Sequence, residues 1–280
     1  MQSPRNGTGW LAANLDGDTL SAWEMAGSTA GPAQMLRLQD SRPPALAAAL
    51  RQVLGGAPRP VLLGGTALAP PHPVPVQPAK LPVTKTVLDG MPVHVLPGLS
   101  QAAPCGLMQG VAATVSGFLQ LNPEWDGVIC LPGIVTHWVQ VSAREAVSFQ
   151  SALTAQLAQV AIQGMAPEAA GTWDKAVLAE AVADGIAKPE QLAARLASVQ
   201  AAAALGQLPE EAARAQIWGH LLGAELAAAR PYWLGQNLAL IADPTLQAFY
   251  AAALDAQALP VTLADPGRMT LQGLIGAWPG

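Results

Sequence analysis

The sequence predicts an α/β protein of two related domains, each built on a βββαβαβ core, with a helical insert in the second. Three observations carry this. Short apolar runs bounded by Gly, Pro and Asp alternate with longer runs of helical spacing. The order strand–strand–strand–helix–strand–helix occurs twice along the chain, and a duplicated order of elements is harder to reach by chance than any local pattern. An Ala-rich stretch with little internal Gly or Pro interrupts the second occurrence alone.

The first half opens with GWLAANLDGDTLSAWEMAG, two apolar runs about Asp16-Gly17, and an Asp-Gly pair between strands predicts a hairpin. AQMLRLQ supplies a third strand. Pro43 and Pro44 open PALAAALRQVLGG, where Pro suits a first helical turn and the Gly pair ends the helix. RPVLLGG is a short buried strand. From Ala67 to Pro82 the chain is too rich in Pro for a helix or a central strand. MPVHVLPG is another strand, and CGLMQGVAATVSGFLQL, residues 105–121, has the length and spacing of a buried helix.

The second half repeats the pattern. GVICLPG, THWVQV and EAVSFQS read as three strands, the first two forming a hairpin around LPGIV, and SALTAQLAQVAIQG reads as a helix ended by Gly164. The helical insert spans about 166–229. NLALIAD returns as a buried strand, after which Asp243-Pro244 supplies an N-cap and first turn for TLQAFYAAALDAQ. LPVTLAD is a strand and PGRMTLQGLIGAW a closing helix. The division expected is 1–122 and 123–280.

Composition narrows the function. Hydrophobic residues make up 51% of the chain and charged residues 12%, so it has a core to bury. The net charge of −5 and the scattered basic residues argue against nucleic acid or an anionic membrane as partner. Cys105 and Cys130 both stand in apolar runs, which reads as two reduced core thiols and a cytoplasmic protein. MQSPRNGTGW lacks the pattern of a signal peptide, and no apolar run reaches the length of about 18 residues that a membrane helix needs.

A duplicated βββαβαβ unit points to the actin-like (ribonuclease H-like) architecture, in which the opening hairpin of each half aims its turn at nucleotide phosphates. The motifs resemble those of the 2-dehydro-3-deoxygalactonokinase family over nearly the whole chain. LAANLDGDTLSAW is similar to the family's IAIDWGTSNLRAW, PVLLGGTALA to PVVMAGMVGS, LPGL to IPGL and MQGVAATVSG to MRGEETQLLG. PGIVTHWV resembles PGTHSKWV, FQSALTAQL the F-x-T-x-MTGEL run, and IWGHLLGAEL the LSGLLIGAE segment.

Matched against those motifs, Gly65, Pro97, Gly98, Met108, Gly110, Pro132, Gly133, Trp138, Thr154, Gly223 and Glu225 are kept. The acidic residue that ends the family's first strand falls on Asn14. The Arg-Gly-Glu-Glu series becomes Gln109-Gly110-Val111-Ala112, Thr-His-Ser-Lys becomes Ile134-Val135-Thr136-His137, and Gly-Glu becomes Ala155-Gln156. The resemblance implies a kinase for a keto-deoxy sugar acid, using ATP and Mg2+ if active. It places Asp16, Gly17, Asp18, Gly133, Thr136 and His137 on the nucleotide side and Gly65, Thr66 and Gln109 on the sugar side. Phosphoryl transfer needs metal-binding carboxylates, donors to the phosphate oxygens and a group that positions the acceptor hydroxyl. Val and Ala at 111 and 112 provide none of these, so no catalytic residue is assigned.

Each candidate also has a plainer reading. Asp16 and Asp18 could hold a magnesium ion, yet Asp-Gly-Asp is ordinary turn chemistry, and turn chemistry is preferred. His137 could meet a phosphate when protonated, but at an ordinary pKa of about 6.5 it is mostly neutral at pH 7 and reads better as a strand residue. His72, His94 and His220 lack metal-ligand spacing, so no metal site is expected. Glu225 serves either the nucleotide side or helix packing. Expected partners are a small-molecule sugar acid and a nucleotide, with a homodimer a further option and neither nucleic acid nor membrane. Three functions compete: a sugar-acid kinase of weak or absent activity, a non-catalytic ligand-binding or regulatory paralogue, and a kinase for a different sugar acid.

Overall fold

The computed structural model describes residues 9–56, 58–165 and 171–280. The first eight residues of the expected 1–122 domain and the start of the expected insert, 166–170, lie outside the described residues. The chain separates into two compact units. One is built from residues up to Trp125 with Val141–Ser148 and Pro266–Gly280, the other from Asp126–Gln140 and Phe149–Asp265.

Unit 1 begins with the expected hairpin, β1 (Trp10–Asp16) and β2 (Thr19–Ala26), followed by the two-residue β3 (Thr29–Ala30) and by β4 (Gln34–Arg37). Asp16 pairs with Thr19, leaving a two-residue loop with Gly17 at φ +60°, which glycine adopts without a steric penalty. Helix α1 (Pro43–Leu54) starts on its two prolines and stops at Gly55, left-handed at φ 57°. It buries Leu46, Ala47, Leu50 and Val53, one helical face. After β5 (Val61–Gly64) come the short β6 (His72–Pro73), then β7 (Thr84–Leu88), β8 (Met91–Val95), β9 (Leu99–Gln101), β10 (Gly106–Met108) and α2 (Ala112–Leu121).

Here the structure departs from expectation. The helix expected over 105–121 starts only at Ala112, because Gly106–Met108 pairs antiparallel with β9 in a small three-stranded sheet. Cys105 is therefore exposed in the turn between two strands, while Cys130 is buried as expected. Strand β7 was also not expected. It forms a hairpin with β8 around Asp89-Gly90, both at positive φ, so a second Asp-Gly turn signal stood unused in the sequence.

The second sheet starts with β11 (Gly127–Leu131), β12 (Thr136–Ser142) and β13 (Glu145–Ala152), of which residues 141–148 fall in unit 1, and α3 (Thr154–Met165) follows in unit 2 with Gly164 inside its last turn. The insert follows as α4 (Lys175–Ala187), α5 (Leu192–Ala204) and α6 (Glu210–Ala228), and α7 (Arg230–Trp233) adds one turn. Then come β14 (Leu238–Ile241), α8 (Pro244–Asp255) and β15 (Thr262–Ala264). Asp243 caps α8 as expected, its side chain accepting from the backbone N–H groups of Thr245 and Leu246. Helices α4 and α6 meet backbone to backbone: a Cβ on Gly223 would lie 2.5 Å from the Val182 carbonyl oxygen, and one on Gly219 2.8 Å from that of Leu178.

The two sheets share one order. In unit 1 it runs β4-β2-β1-β5-β8, with β7 outside β8; in unit 2 it runs β13-β12-β11-β14-β15. Each is the third, second, first, fourth and fifth strand of its core. The first, fourth and fifth strands are mutually parallel in both units. Such strands are covered on both faces, and β5, β11 and β14 are buried along their whole length. This is the two-domain α/β architecture that the duplicated pattern predicts. In unit 1 the link from β5 to β8 is the Pro-rich segment, where unit 2 places α8.

The last element, α9 (Pro266–Ala277), falls in the second half of the sequence but packs on α2 in unit 1. Glycines allow it. A Cβ on Gly117 would lie 1.8 Å from the Met269 carbonyl oxygen, and one on Gly273 1.9 Å from that of Ala113. Thr114 and Thr270 share a hydroxyl hydrogen bond of 2.7 Å within this contact.

Candidate functional site

In open α/β sheets ligands gather at the carboxyl ends of the parallel strands. In unit 1 that edge is the end of β1, the end of β5 and the turn before α2. Asn14 lies opposite Gly64 in the β1–β5 register and is 5% exposed. Its amide Nδ2 donates to the Gly110 carbonyl at 2.8 Å, while Oδ1 is buried without a hydrogen-bond partner. The side chain thus ties the first strand to the 109–110 turn. Asp16 is exposed, and a Cβ on Gly110 would lie 2.6 Å from its Oδ1, so glycine lets the turn sit directly beside this carboxylate. Asp16 has a partner of its own within the chain.

Asp18 is engaged as well. Arg37 Nε donates to its Oδ2 at 2.7 Å and the Thr19 hydroxyl to its Oδ1 at 3.1 Å, and the Arg37 hydrogen bond holds the carboxyl below its usual range. Gly65 sits at φ +79°, where an added Cβ would fall 1.8 Å from the Leu15 carbonyl oxygen. Gly98 packs in the same manner against Met108 and Gln109. Thr66 is buried and Gln109 half-buried. Val111 and Ala112 begin α2 with no side-chain cap, so that helix start offers backbone N–H groups alone. Among the sequence candidates, the structure gathers Asp16, Gly65 and Gln109 along this edge, together with Asn14 and Gly110.

Gly133, Thr136 and His137 belong to unit 2, where the hairpin turn leads into a buried polar network. Thr136 is fully buried and its hydroxyl lies 2.6 Å from the Tyr250 hydroxyl. Tyr250 donates to Glu225 Oε2 at 2.8 Å, and Trp138 Nε1 donates to Oε1 at 2.7 Å. The Thr154 hydroxyl also bonds this carboxylate. Since Tyr250 spends its proton on Glu225, its oxygen accepts from Thr136. Glu225 is 5% exposed; burial raises its pKa, and burial with the Glu225 charge raises those of Tyr250 and Cys130. Of the two readings of Glu225, the structure supports packing: it is the hub of a buried network.

His137 is equally turned inward. Its Nδ1 and the Ser151 hydroxyl are 2.9 Å apart, its ring meets Phe149 edge-on, and burial lowers its pKa to about 4. At neutral pH it carries no charge for a phosphate. Gly133 has ordinary space around its Cα, and Ile134, at 51% exposure, is the side chain that the turn presents to solvent. Among the described residues no three His, Cys, Asp or Glu side chains are grouped to hold a metal ion. Tyr250 was not found in the sequence, because its partners lie 25 and 114 residues away and no local motif marks it.

A sequence model of the 2-keto-3-deoxy-galactonokinase family matches residues 17–277. The chain belongs to that family. The 2-dehydro-3-deoxygalactonokinase of Escherichia coli (strain K12) is 28% identical over 176 residues, covering 61% of this chain and 59% of the relative. A relative from Rhizobium meliloti (strain 1021) assigned the same activity is 27% identical over 200 residues, covering 67% and 65%. The matches thus span less than two thirds of either relative's length. In three dimensions the chain is similar to a Sinorhizobium meliloti protein assigned as a 2-dehydro-3-deoxygalactonokinase, with a TM-score of 0.85 at 22% identity, covering 96% of this chain and 97% of that one. The Clostridium difficile activator of 2-hydroxyisocaproyl-CoA dehydratase, solved with bound ADPNP, shares the fold at a TM-score of 0.56 and 11% identity, over 96% and 92% of the two chains. Among the described residues no helix is long and apolar enough to cross a membrane.

Proposed function

We propose that this member of the sugar-acid kinase family transfers phosphate from ATP to 2-dehydro-3-deoxygalactonate very weakly or not at all. One observation carries the reading: polar side chains at both opening hairpins are committed to bonds inside the protein. Asn14 holds Gly110, Asp18 holds Arg37, Thr136 holds Tyr250 and His137 holds Ser151. At the turn that should meet phosphate oxygens, Ile134 presents methyl groups. Leaving a charged oxygen unmet costs several kcal/mol, and about 1.4 kcal/mol is already tenfold in rate.

These residues do not fit a nucleotide triphosphate with its magnesium ion, so no step is written through either. ATP is the nucleotide to test because the family is one of kinases and a fold neighbour holds ADPNP. The family-retained Gly65, Gly98, Gly110, Gly223 and Glu225 each serve packing or a buried bond, which is what a chain keeps when the fold is still needed. We place the protein in the cytoplasm, in keeping with two unpaired cysteines and this metabolic family.

The test is a coupled assay on the purified protein with the sugar acid and MgATP. Turnover far below about 1 s⁻¹ is expected, and turnover at or above about 1 s⁻¹, within the ordinary enzyme range, overturns the reading. Asn14→Asp alone should not restore activity, since cooperating catalytic groups act as a unit. Calorimetry with ATP, with and without magnesium, separates lost chemistry from lost binding.

A further inference from the structure

The helical insert of unit 2 holds an open-sided cavity of about 500 Å³ between α4, α5 and α6, with Gln191, Ser198 and Gln207 exposed at its mouth. None of the hairpin residues lines it. One of its walls is polar in a way that packing does not require. Arg195 on α5 has a side chain only 17% exposed, and its Nη1 is buried with no hydrogen-bond partner. Asp184 Oδ2 stands 3.4 Å away, within ion-pair range but outside hydrogen-bond geometry, and Asp184 is itself 66% exposed. Nη1 itself has almost no accessible surface and faces Asp184, so a ligand meets only the part of the fork that stays exposed. A carboxylate meeting the fork side-on is the partner its geometry suits best.

His220 on α6 also lines the cavity, and it adds an acceptor. Its Nδ1 lies 3.2 Å from the Ala181 carbonyl, which can only accept, so Nδ1 carries the proton and Nε2 is left with the lone pair. Burial lowers the ring's pKa, which keeps that lone pair available at neutral pH. Gln207 and Gln216 supply groups that both donate and accept, while the Ser198 hydroxyl donates to the Ala194 carbonyl and offers the cavity only its oxygen. One cationic fork shared with Asp184, one neutral acceptor and two amides match an acid that bears hydroxyls. We propose that this cavity binds a small hydroxy carboxylate, its carboxylate on Arg195 and one hydroxyl donating to His220 Nε2. The site is independent of phosphoryl transfer and stands whatever the kinase assay gives.

Isothermal titration of the full chain with D-gluconate tests it, with citrate as a second hydroxy acid and acetate and glucose as the separated halves. Gluconate or citrate should bind saturably, and acetate and glucose at least about tenfold more weakly, the step of about 1.4 kcal/mol. Arg195→Met should weaken binding at least about tenfold while the far-ultraviolet circular dichroism is unchanged. Asp184→Asn, an exposed substitution harmless to folding, should tighten binding several-fold, because Asp184 competes for the same guanidinium. That variant decides the matter if Arg195→Met fails to fold. No saturable heat with either acid up to about 10 mM, or affinity unmoved by Asp184→Asn, overturns the proposal.

Discussion

The opening hairpins of the two units occupy the same place in the same sheet order, and they have been consolidated by opposite means. In unit 1 the loop is exposed and charged, with Asp18 and Arg37 paired in water and the strand end tied down by one amide, Asn14 to Gly110. In unit 2 the turn shows Ile134 to solvent, while Thr136, His137 and Trp138 point inward to Tyr250, Ser151 and Glu225. One hairpin is held by its backbone and a surface ion pair, the other by a buried polar network. A shared topology therefore fixes where a turn lies and leaves open which chemistry holds it there.

The comparison breaks most sharply at its glycines. Gly65→Ala puts a Cβ within 1.8 Å of the Leu15 carbonyl oxygen at φ +79°, so both space and backbone refuse it. A loss of about 4 kcal/mol or more, or failure to fold, is expected in urea unfolding. Gly133→Ala, whose nearest outside atom is the Val135 oxygen at 3.4 Å, should stay within about 0.5 kcal/mol. Equal effects at the two positions would show that the close approach of Gly65 to the β1 backbone is not what holds that strand end.

Next in size is Glu225→Ala, which strips the acceptor from Trp138, Tyr250 and Thr154 at once. Leaving buried neutral donors without an acceptor costs about 1–3 kcal/mol each, against at most about 1 kcal/mol for an exposed pair. A loss below about 1 kcal/mol would mean that the network is incidental to unit 2.

His137 sharpens the same contrast through pH. Its folded pKa of about 4 lies below the unfolded value near 6.5. The sign follows: a group with a depressed folded pKa contributes its stability above the unfolded pKa and loses it as pH falls through the folded one. Stability should thus decline between about pH 6.5 and 4, by roughly 3 kcal/mol from this residue. His94 and His220, also lowered by burial, add to the same limb. His137→Asn should flatten the slope by about one proton. An unchanged slope would leave the acid limb to the other histidines.

Much of this was legible in the sequence, and the omissions have physical reasons. The hairpin at Asp16-Gly17, α1 between its prolines and glycines, and the Asp243 cap all rest on local backbone chemistry, and all are found as read. The stretch 105–121 misled because Gly106–Met108 is apolar enough to extend a helix yet is taken by β9, a tertiary pairing that spacing cannot show. The helical spacing of α9 is plain, but its place on α2 is set by Gly117 and Gly273, which matter only once the two helices meet. At the site, the apolar character of Val111 and Ala112 could be read from residue type alone. The bonds that absorb Thr136 and His137 could not, because they cross from strand to helix or to the next strand.

The smallest effect belongs to the Asp18–Arg37 pair, and it tests whether the first hairpin retains any chemistry. The two side chains are 42% and 84% exposed, so solvent screens their attraction and Arg37→Ala should leave the unfolding midpoint unmoved. What should change is the Asp18 carboxyl, now held low chiefly by the Arg37 hydrogen bond, whose titration should move up toward the ordinary aspartate range. If the pair only staples the turn, freeing Asp18 creates no magnesium or ATP binding in calorimetry. A magnesium-dependent heat that appears in Arg37→Ala and vanishes in Arg37→Ala/Asp18→Asn would mean that the carboxylate is a masked metal ligand. The first hairpin would then be a suppressed site, and the contrast with the apolar turn of unit 2 would become one of function as well as of structure.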